Sequence, residues 1–197
     1  HDMMGQVGTP VIAVESGYVE ALGWNQYGGW RLGIRSFDHK RYYYYAHLRK
    51  NYPYQSGLEV GSVVQAGDVI GYLGRTGYSR TENTNNIDDP HLHFGLELIF
   101  DESQKDSNNE IWVSCYELVK FLNLNRCEAV KVEGTKEWKR LYGIKDPLVP
   151  VQPATPSQAG PAAESQAESQ AGPQTDPQAG SQAESQTEPQ AGPQAES

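Results

Sequence analysis

The sequence has few of the features that mark nucleic-acid-binding or membrane-spanning chains. Its 197 residues carry 16 Lys and Arg against 25 Asp and Glu, a formal net charge of -9. It shows no basic stripe of the kind that a nucleic-acid-binding surface needs, so no nucleic-acid partner is expected. No apolar run approaches the roughly 20 residues that span a bilayer, and no signal-peptide pattern precedes the first predicted strand.

Cysteine is also scarce. The two cysteines, Cys115 and Cys127, are too few for a disulfide framework, and their spacing matches neither a zinc knuckle nor a thioredoxin pair. Both are therefore predicted to be buried thiols.

The C-terminal part of the sequence lacks basic and aromatic residues. Residues 151–197 contain no Lys or Arg, and from about Pro147 onward the chain consists of imperfect repeats of Gln, Ala, Gly, Pro, Ser and Glu. Such a segment cannot bury enough apolar surface to offset its conformational entropy. Residues 147–197 are therefore predicted to form a disordered tail.

Alternation of apolar and polar residues dominates the first hundred positions and predicts short strands. Residues 11–19, 30–36 and 41–48 alternate in this way, with turns between them, and the last two runs predict a β-hairpin. Residues 57–71 add two or three short strands with glycine at regular intervals, which is typical of tight corners in a small sandwich or barrel. Tyr42 to Tyr45 are mainly structural on this interpretation, although one of each parity could line a peptide groove.

One helix is predicted, after the strands. Ser114 to Glu117 have the Ser-Xaa-Xaa-Glu form of a capping box, and apolar residues then recur at helical spacing, which predicts a helix from about Cys115 to Leu124. Residues 126–146 show no clean period and are predicted to be a partly ordered extension. The expected fold is an all-β domain over residues 1–125, a small antiparallel β-sandwich or barrel-sandwich hybrid with one short C-terminal helix.

Two histidines one residue apart carry the first chemical signal. On the predicted strand around residues 91–98, His91 and His93 share one face, whereas Leu92 and Phe94 share the other and would face a core. Histidine is the commonest metal ligand and general acid or base, so the pair is a candidate site. A lone His-Xaa-His motif is about as often a pair of partly exposed side chains as a functional site. Other parts of the sequence are needed to distinguish the two.

Five short motifs follow one another along the chain: Gly8-Thr9-Pro10-Val11-Ile12-Ala13, Tyr45-Ala46-His47-Leu48, Gly67-Asp68-Val69-Ile70-Gly71, Gly74-Arg75-Thr76-Gly77 and Pro90-His91-Leu92-His93-Phe94. Together they resemble the lysostaphin-type (LytM-like) zinc endopeptidases, which cut peptidoglycan cross-bridges or stem peptides. The resemblance covers roughly residues 2–124 in order, which makes it more specific than any one motif.

The resemblance implies a Zn²⁺ ion held by Asp2 and His93, with His47 and His91 as a catalytic pair beside it. The family's first ligand would lie four residues before Asp2, three positions upstream of His1. Either the sequence has been trimmed inside this motif, or the protein has lost the ligand. We interpret it as trimmed, since natural chains do not start inside a motif. A third alternative, in which His1 turns to bind the metal, is disfavoured because His1 is adjacent to Asp2.

The expected function is zinc-dependent hydrolysis of peptidoglycan peptides. Three protein ligands leave a fourth zinc position for water. One histidine could deprotonate that water, while the other donates a proton to the leaving amine. Which of His47 and His91 takes which role stays open.

Two alternatives remain, a metal-free module on the same fold that binds or assembles the cell wall, and, more distantly, a sugar-phosphotransferase carrier. The protein is expected to be an extracellular or cell-envelope monomer, with any membrane anchor in a missing N-terminal part.

Overall fold

The computed structural model describes residues 1–106 and 108–150, and the chain is mostly β-structure. Residues His1–Val151 form one compact unit, and the predicted tail beyond residue 150 lies outside the described residues. The described strands are β1 (Asp2–Met4), β2 (Pro10–Ile12), β3 (Gly17–Asn25), β4 (Gly29–Ser36), β5 (Arg41–Ala46), β6 (Val63–Val64), β7 (Val69–Tyr72), β8 (His91–Leu98), β9 (Ile111–Val113), β10 (Ala129–Lys131) and β11 (Trp138–Arg140). A 3₁₀-helix covers Glu102–Asp106, and the α-helix α1 covers Tyr116–Leu124.

One antiparallel sheet organises the domain. Six of its seven strands follow the order β1-β8-β5-β4-β3-β6, and β9 pairs with β8. Since β5 occupies one edge of β8, the short strands β1 and β9 lie along its other edge, beside residues 91–93 and 96–98 respectively. Strands β2 and β7 form a separate antiparallel pair. The expected class, an antiparallel β-fold with one short helix, is confirmed.

The core lies on the face of this sheet opposite to the two histidines. Tyr45, Phe94, Leu32 and Ile34 are at most 1% exposed and belong to one apolar cluster. They come from three adjacent strands, and each sits at the buried parity of its strand, as the alternation of the sequence predicts. Burial of this cluster fixes the register of β8, because a shift by one residue would bring Phe94 to the solvent face.

The predicted hairpin of β4 and β5 is confirmed, with Leu32 opposite Tyr45. The turn before β4 depends on Gly29, which has φ +65° and whose hypothetical Cβ would lie 2.4 Å from the backbone of Thr76. A side chain at this position would clash with the loop that follows β7, so glycine is required here.

The predicted helix is present, but the predicted capping box is not. Helix α1 begins at Tyr116, its N-cap is Cys115 rather than Ser114, and no side chain caps it. Cys115 is buried in the apolar cluster, and this packing sets where the helix starts. The prediction that both thiols are buried is wrong for Cys127, which is exposed.

Residues 126–146 contain a second hairpin, formed by β10 and β11, that packs near the β2–β7 pair. The Arg140 guanidinium lies 3.3 Å from the Asp68 carboxylate, and the Tyr72 hydroxyl accepts a hydrogen bond from the Trp138 amide. The sequence shows no clean period here because each strand has only three residues. Within the described part of the chain, no helix is long and apolar enough to cross a membrane.

Candidate active site

The short edge strand β1 and its neighbour β8 bring Asp2 and the histidine pair together. In the antiparallel ladder of β1 and β8, Asp2 is directly opposite His93, and Met4 is opposite His91. Residues paired across a ladder share one face, so Asp2 projects to the same side as both histidines. The N-terminal amino group of His1 donates to the Phe94 carbonyl oxygen at 2.7 Å and holds β1 in this register.

Asp2 contacts His93 directly. Its Oδ1 lies 2.7 Å from His93 Nδ1 and 4.0 Å from His91 Nε2. Partial burial alone would raise the pKa of Asp2, but the hydrogen bond to His93 and the charges of both histidines and of the N-terminus hold that pKa below its usual value. The carboxylate therefore remains ionised and ready to bind a cation or a proton donor.

His47 completes the cluster from the strand on the other side of β8. It follows the last residue of β5 with φ +61°, and this turn of the backbone aims its ring at the pair. The ring centroid lies 4.8 Å from that of His91 and 5.8 Å from that of His93. Burial lowers the pKa of His47 to about 4, so the imidazole is neutral at physiological pH.

The tautomers of His47 and His91 are set by main-chain carbonyl groups. His47 Nδ1 lies 2.9 Å from the Thr76 oxygen, and His91 Nδ1 lies 2.8 Å from the Asp89 oxygen. A carbonyl oxygen only accepts hydrogen bonds, so each Nδ1 carries the proton and each Nε2 is left as an acceptor. In the neutral form of both rings, Nε2 is thus the acceptor nitrogen.

Thr76 holds the His47 ring through its carbonyl oxygen and is itself held by two hydrogen bonds of its hydroxyl. It is fully buried; its hydroxyl donates to the Leu48 carbonyl at 2.6 Å and accepts from the Trp30 amide at 3.1 Å. The adjacent Gly77 has φ +123°, and a Cβ there would lie 2.3 Å from the Tyr27 carbonyl oxygen and 3.0 Å from His47 Nδ1. In the sequence, Thr76 and Gly77 are recognisable only as part of a family motif. The structure shows that they hold the His47 imidazole in place.

We expect Thr76→Val to lower the free energy of unfolding by about 2 kcal/mol, because the substitution keeps the shape but leaves two buried backbone groups without their partner. Urea denaturation measures this difference. Ser79→Ala is the matched control, since this half-buried residue has a hydroxyl that bonds only within its own turn. Equal stability of Thr76→Val and the unaltered chain would contradict the role given to the hydroxyl.

The other two histidines lie apart from the cluster. His39 occupies the exposed turn between β4 and β5 with φ +60°. His1 precedes Asp2 on β1 and therefore points to the opposite face, where its ring lies 6.4 Å from that of Tyr116. In this structure His1 does not take part in the Asp2 cluster.

Aromatic side chains border the histidines on two sides. Tyr78 stacks on His47 with 5.9 Å between ring centroids and is 62% exposed. On the other side the ring of Tyr44 lies 6.1 Å from that of His93. The sequence analysis named Tyr44 only as one of four consecutive tyrosines that are mainly structural, of which one of each parity could line a peptide groove. Tyr78 comes from a polar loop whose conformation has no signal in the sequence pattern.

The donor set fits a zinc ion in part. Two donors of a tetrahedral zinc lie roughly 3.3 Å apart, so Asp2 Oδ1 and His93 Nδ1, now 2.7 Å apart, could hold the ion after a small separation. Catalytic zinc needs a third protein ligand. Among residues 1–106 and 108–150, no group of three or more His, Cys, Asp or Glu side chains could hold a metal. Among the described residues, Asp2 and His93 are thus a candidate pair of donors, and no third side chain of these types completes a metal-binding group with them.

Comparison with known proteins gives one family and several similar chains. The model of Peptidase family M23 matches residues 1–107. Over 95 residues, 48% of this chain, the sequence is 39% identical to an L-Ala–D-Glu endopeptidase of Bacillus subtilis, and over 94 residues, 47% of this chain, it is 38% identical to lysostaphin of Staphylococcus simulans. The matched stretch spans only 28% and 16% of those relatives.

A solved structure supports the same assignment. A crystal structure from Ruminococcus gnavus, of a protein assigned as a glycyl-glycine endopeptidase lytM, superposes with a TM-score of 0.53 and 35% sequence identity. The superposition covers 64% of this chain and 47% of the other.

Proposed function

Because this chain belongs to peptidase family M23, we propose that it hydrolyses peptide bonds in bacterial peptidoglycan with the help of zinc. The observation that carries the proposal is the convergence of Asp2, His47, His91 and His93 from three strands on one face of the sheet. Three histidines and a carboxylate in contact suit metal-assisted hydrolysis, which needs donors for an ion and acceptors for a proton.

The relatives support the proposed substrate class. The similar chains include an L-Ala–D-Glu endopeptidase and, in Staphylococcus capitis, a glycyl-glycine endopeptidase, ALE-1. Both bond types occur in peptidoglycan, in the stem peptide and the cross-bridge respectively. We propose that the protein acts on such peptides outside the cytoplasmic membrane, as a monomer.

Asp2 and His93 would hold the zinc ion, and we propose that a third ligand lies four positions before Asp2. The ion would act there as a Lewis acid toward the scissile carbonyl. The resemblance described above places the family's first ligand at this position.

The two remaining histidines divide the proton transfer. His47 is buried and neutral, and its free Nε2 orients the attacking water by accepting a hydrogen bond. We assign the proton transfer to His91, because its Nε2 lies 4.0 Å from the Asp2 carboxylate and hence beside the proposed zinc position. It passes the proton to the leaving amine.

The test compares two chains that differ at one residue. One carries the extension His-Ser-Gly before His1, which places a histidine four positions before Asp2; the other carries Ala-Ser-Gly. We expect stoichiometric zinc by elemental analysis, and release of new amino groups from purified peptidoglycan, only in the first. Equal zinc content and equal hydrolysis in both chains would contradict the proposed third ligand, and no hydrolysis in either would contradict the proposed reaction.

A metal-free module that binds the cell wall is the second candidate. It is favoured by one observation, that no group of three or more His, Cys, Asp or Glu side chains among the described residues could hold a metal ion. Co-sedimentation with purified peptidoglycan in the presence of a chelator distinguishes the binding module from the peptidase. A binding module remains bound to the peptidoglycan, and it releases no amino groups whether or not zinc is added.

A further inference from the structure

A groove lies between helix α1 and the strands, on the face of the sheet opposite to the histidines. Its volume is about 530 Å³, within the range of roughly 300–1,000 Å³ that small-molecule sites have. None of Asp2, His47, His91 and His93 lines it, so the groove is separate from the candidate active site. Most of its lining is apolar and comes from both walls, with Met3, Val11, Leu92 and Phe94 on the strands and Val119 and Leu122 on the helix.

Helix α1 covers this part of the core incompletely. Leu118 and Val119 pack against the apolar cluster, yet no residue of Tyr116–Leu124 is buried. The helix has nine residues and no side-chain cap, so contacts between its apolar side and the sheet are its main stabilisation. An apolar chain placed in the groove would be removed from water and would gain van der Waals contacts with both walls.

The charged side chains along the groove are cationic. Lys120 and Arg126 line it, and no Asp or Glu does so within the part of the chain that the structure describes. Lys120 pairs with Glu117 at 3.6 Å, but 63% and 78% of the two side chains are exposed, and such exposed pairs contribute little. Arg126 donates to the neutral side chain of Asn123. An anionic group in the groove would therefore be attracted by both cations.

We propose that the groove binds a free fatty acid, with its acyl chain between α1 and the sheet and its carboxylate beside Lys120 and Arg126. Two observations together give this class of ligand. The apolar lining suits the acyl chain, and the cationic side chains suit the head group. The site goes beyond the proposed peptidase function and does not depend on it, because no residue assigned to hydrolysis lines the groove.

A peptide fits this groove less well than an acyl chain does. Each residue of a peptide carries polar backbone groups, and these groups cost free energy when they are buried without hydrogen-bond partners. The walls of the groove offer mainly apolar side chains. An acyl chain brings no polar group into the groove except its head group, which meets the two cations.

Calorimetric titration with dodecanoate, kept below its micelle concentration and without zinc, tests the site. Dodecylammonium has a chain of the same length with the opposite charge, and acetate has the same head group without the chain. We expect dodecanoate to bind stoichiometrically and the other two compounds not to bind at the same concentration. This result is expected because both the apolar chain and the negative charge contribute to binding.

Two variants locate the ligand. The double substitution Lys120→Gln with Arg126→Gln is expected to raise the Kd for dodecanoate about tenfold, because the charge-assisted contacts are lost. Val119→Trp places a large side chain in the groove and should abolish binding, and far-ultraviolet circular dichroism checks that this variant is folded. If it does not fold, the double substitution decides.

Lys136→Gln is the matched control. Lys136 is exposed in the turn between β10 and β11 and does not line the groove. Loss of its charge should leave the Kd for dodecanoate within about twofold of that of the unaltered chain.

No binding of dodecanoate, equal binding of dodecylammonium, or an unchanged Kd in the double variant would overturn the proposal. Unchanged binding by a folded Val119→Trp chain would overturn it as well. Sedimentation with phosphatidylglycerol vesicles, without binding of dodecanoate, would assign the surface of α1 to a membrane instead of a fatty acid. Dodecanoate binding that depends on Lys120 and Arg126, in a chain that hydrolyses nothing, would support the site and contradict only the peptidase function.

Discussion

His93→Ala, introduced into the chain that carries the His-Ser-Gly extension, is expected to remove bound zinc and to lower peptidoglycan hydrolysis by at least about 1,000-fold. His93 is one of only two donors in the cluster that meet at hydrogen-bond distance, and its Nδ1 is the atom turned toward Asp2. Loss of a metal that stabilises transition-state charge by about 4 kcal/mol corresponds to about three orders of magnitude in rate.

The matched control for this variant is His39→Asn. His39 lies in an exposed turn away from the cluster, and asparagine tolerates its positive φ. Zinc content and release of amino groups are measured for both variants under the same conditions. Retention of zinc and of more than a tenth of the activity in His93→Ala would exclude His93 as a ligand.

Phe94→Ala is expected to lower the free energy of unfolding by about 4 kcal/mol, because it removes a large side chain from a filled core. Phe94 is 1% exposed and lies between Tyr43 and Tyr45, with ring centroids at 6.4 and 5.4 Å. The cavity would open directly behind His93, on the other face of the same strand. Guanidinium denaturation measures the change.

Phe100 provides the comparison for this variant within the same chain. It is 76% exposed, so Phe100→Ala should alter the free energy of unfolding by less than about 0.5 kcal/mol. Similar destabilisation by the two substitutions would show that the apolar cluster described around Phe94 does not stabilise the fold.

The fold was predictable where the sequence pattern is local. Alternation along residues 91–98 placed His91 and His93 on one face and Phe94 on the other, and the structure has this arrangement. Other elements depend on contacts distant in sequence. Helix α1 starts where Cys115 is buried rather than at the capping motif, and three-residue strands such as β10 are too short to show a period.

The candidate site was predictable only by resemblance to a family. The structure brings together Asp2, His47, His91 and His93, whose assignment as ligands and catalytic residues stays a prediction. The positive φ of His47 and the hydrogen bond from its ring to Thr76 have no signature in the sequence, because both depend on how a loop packs against the end of β5. Trp112 reaches the site from β9, and neither spacing nor composition indicates that it crosses over Gly95.

The two carbonyl groups that fix the tautomers of His47 and His91 stand at opposite ends of one loop, at Thr76 and Asp89. The residues between them carry Tyr78, and Asn83 bonds to Trp30 and to Asn51. The residues in the middle of this loop can therefore differ while both imidazoles keep their protons on the same nitrogen. The composition of the loop and the tautomers of the two histidines are thus set by different residues, since only the carbonyl groups at Thr76 and Asp89 fix the tautomers.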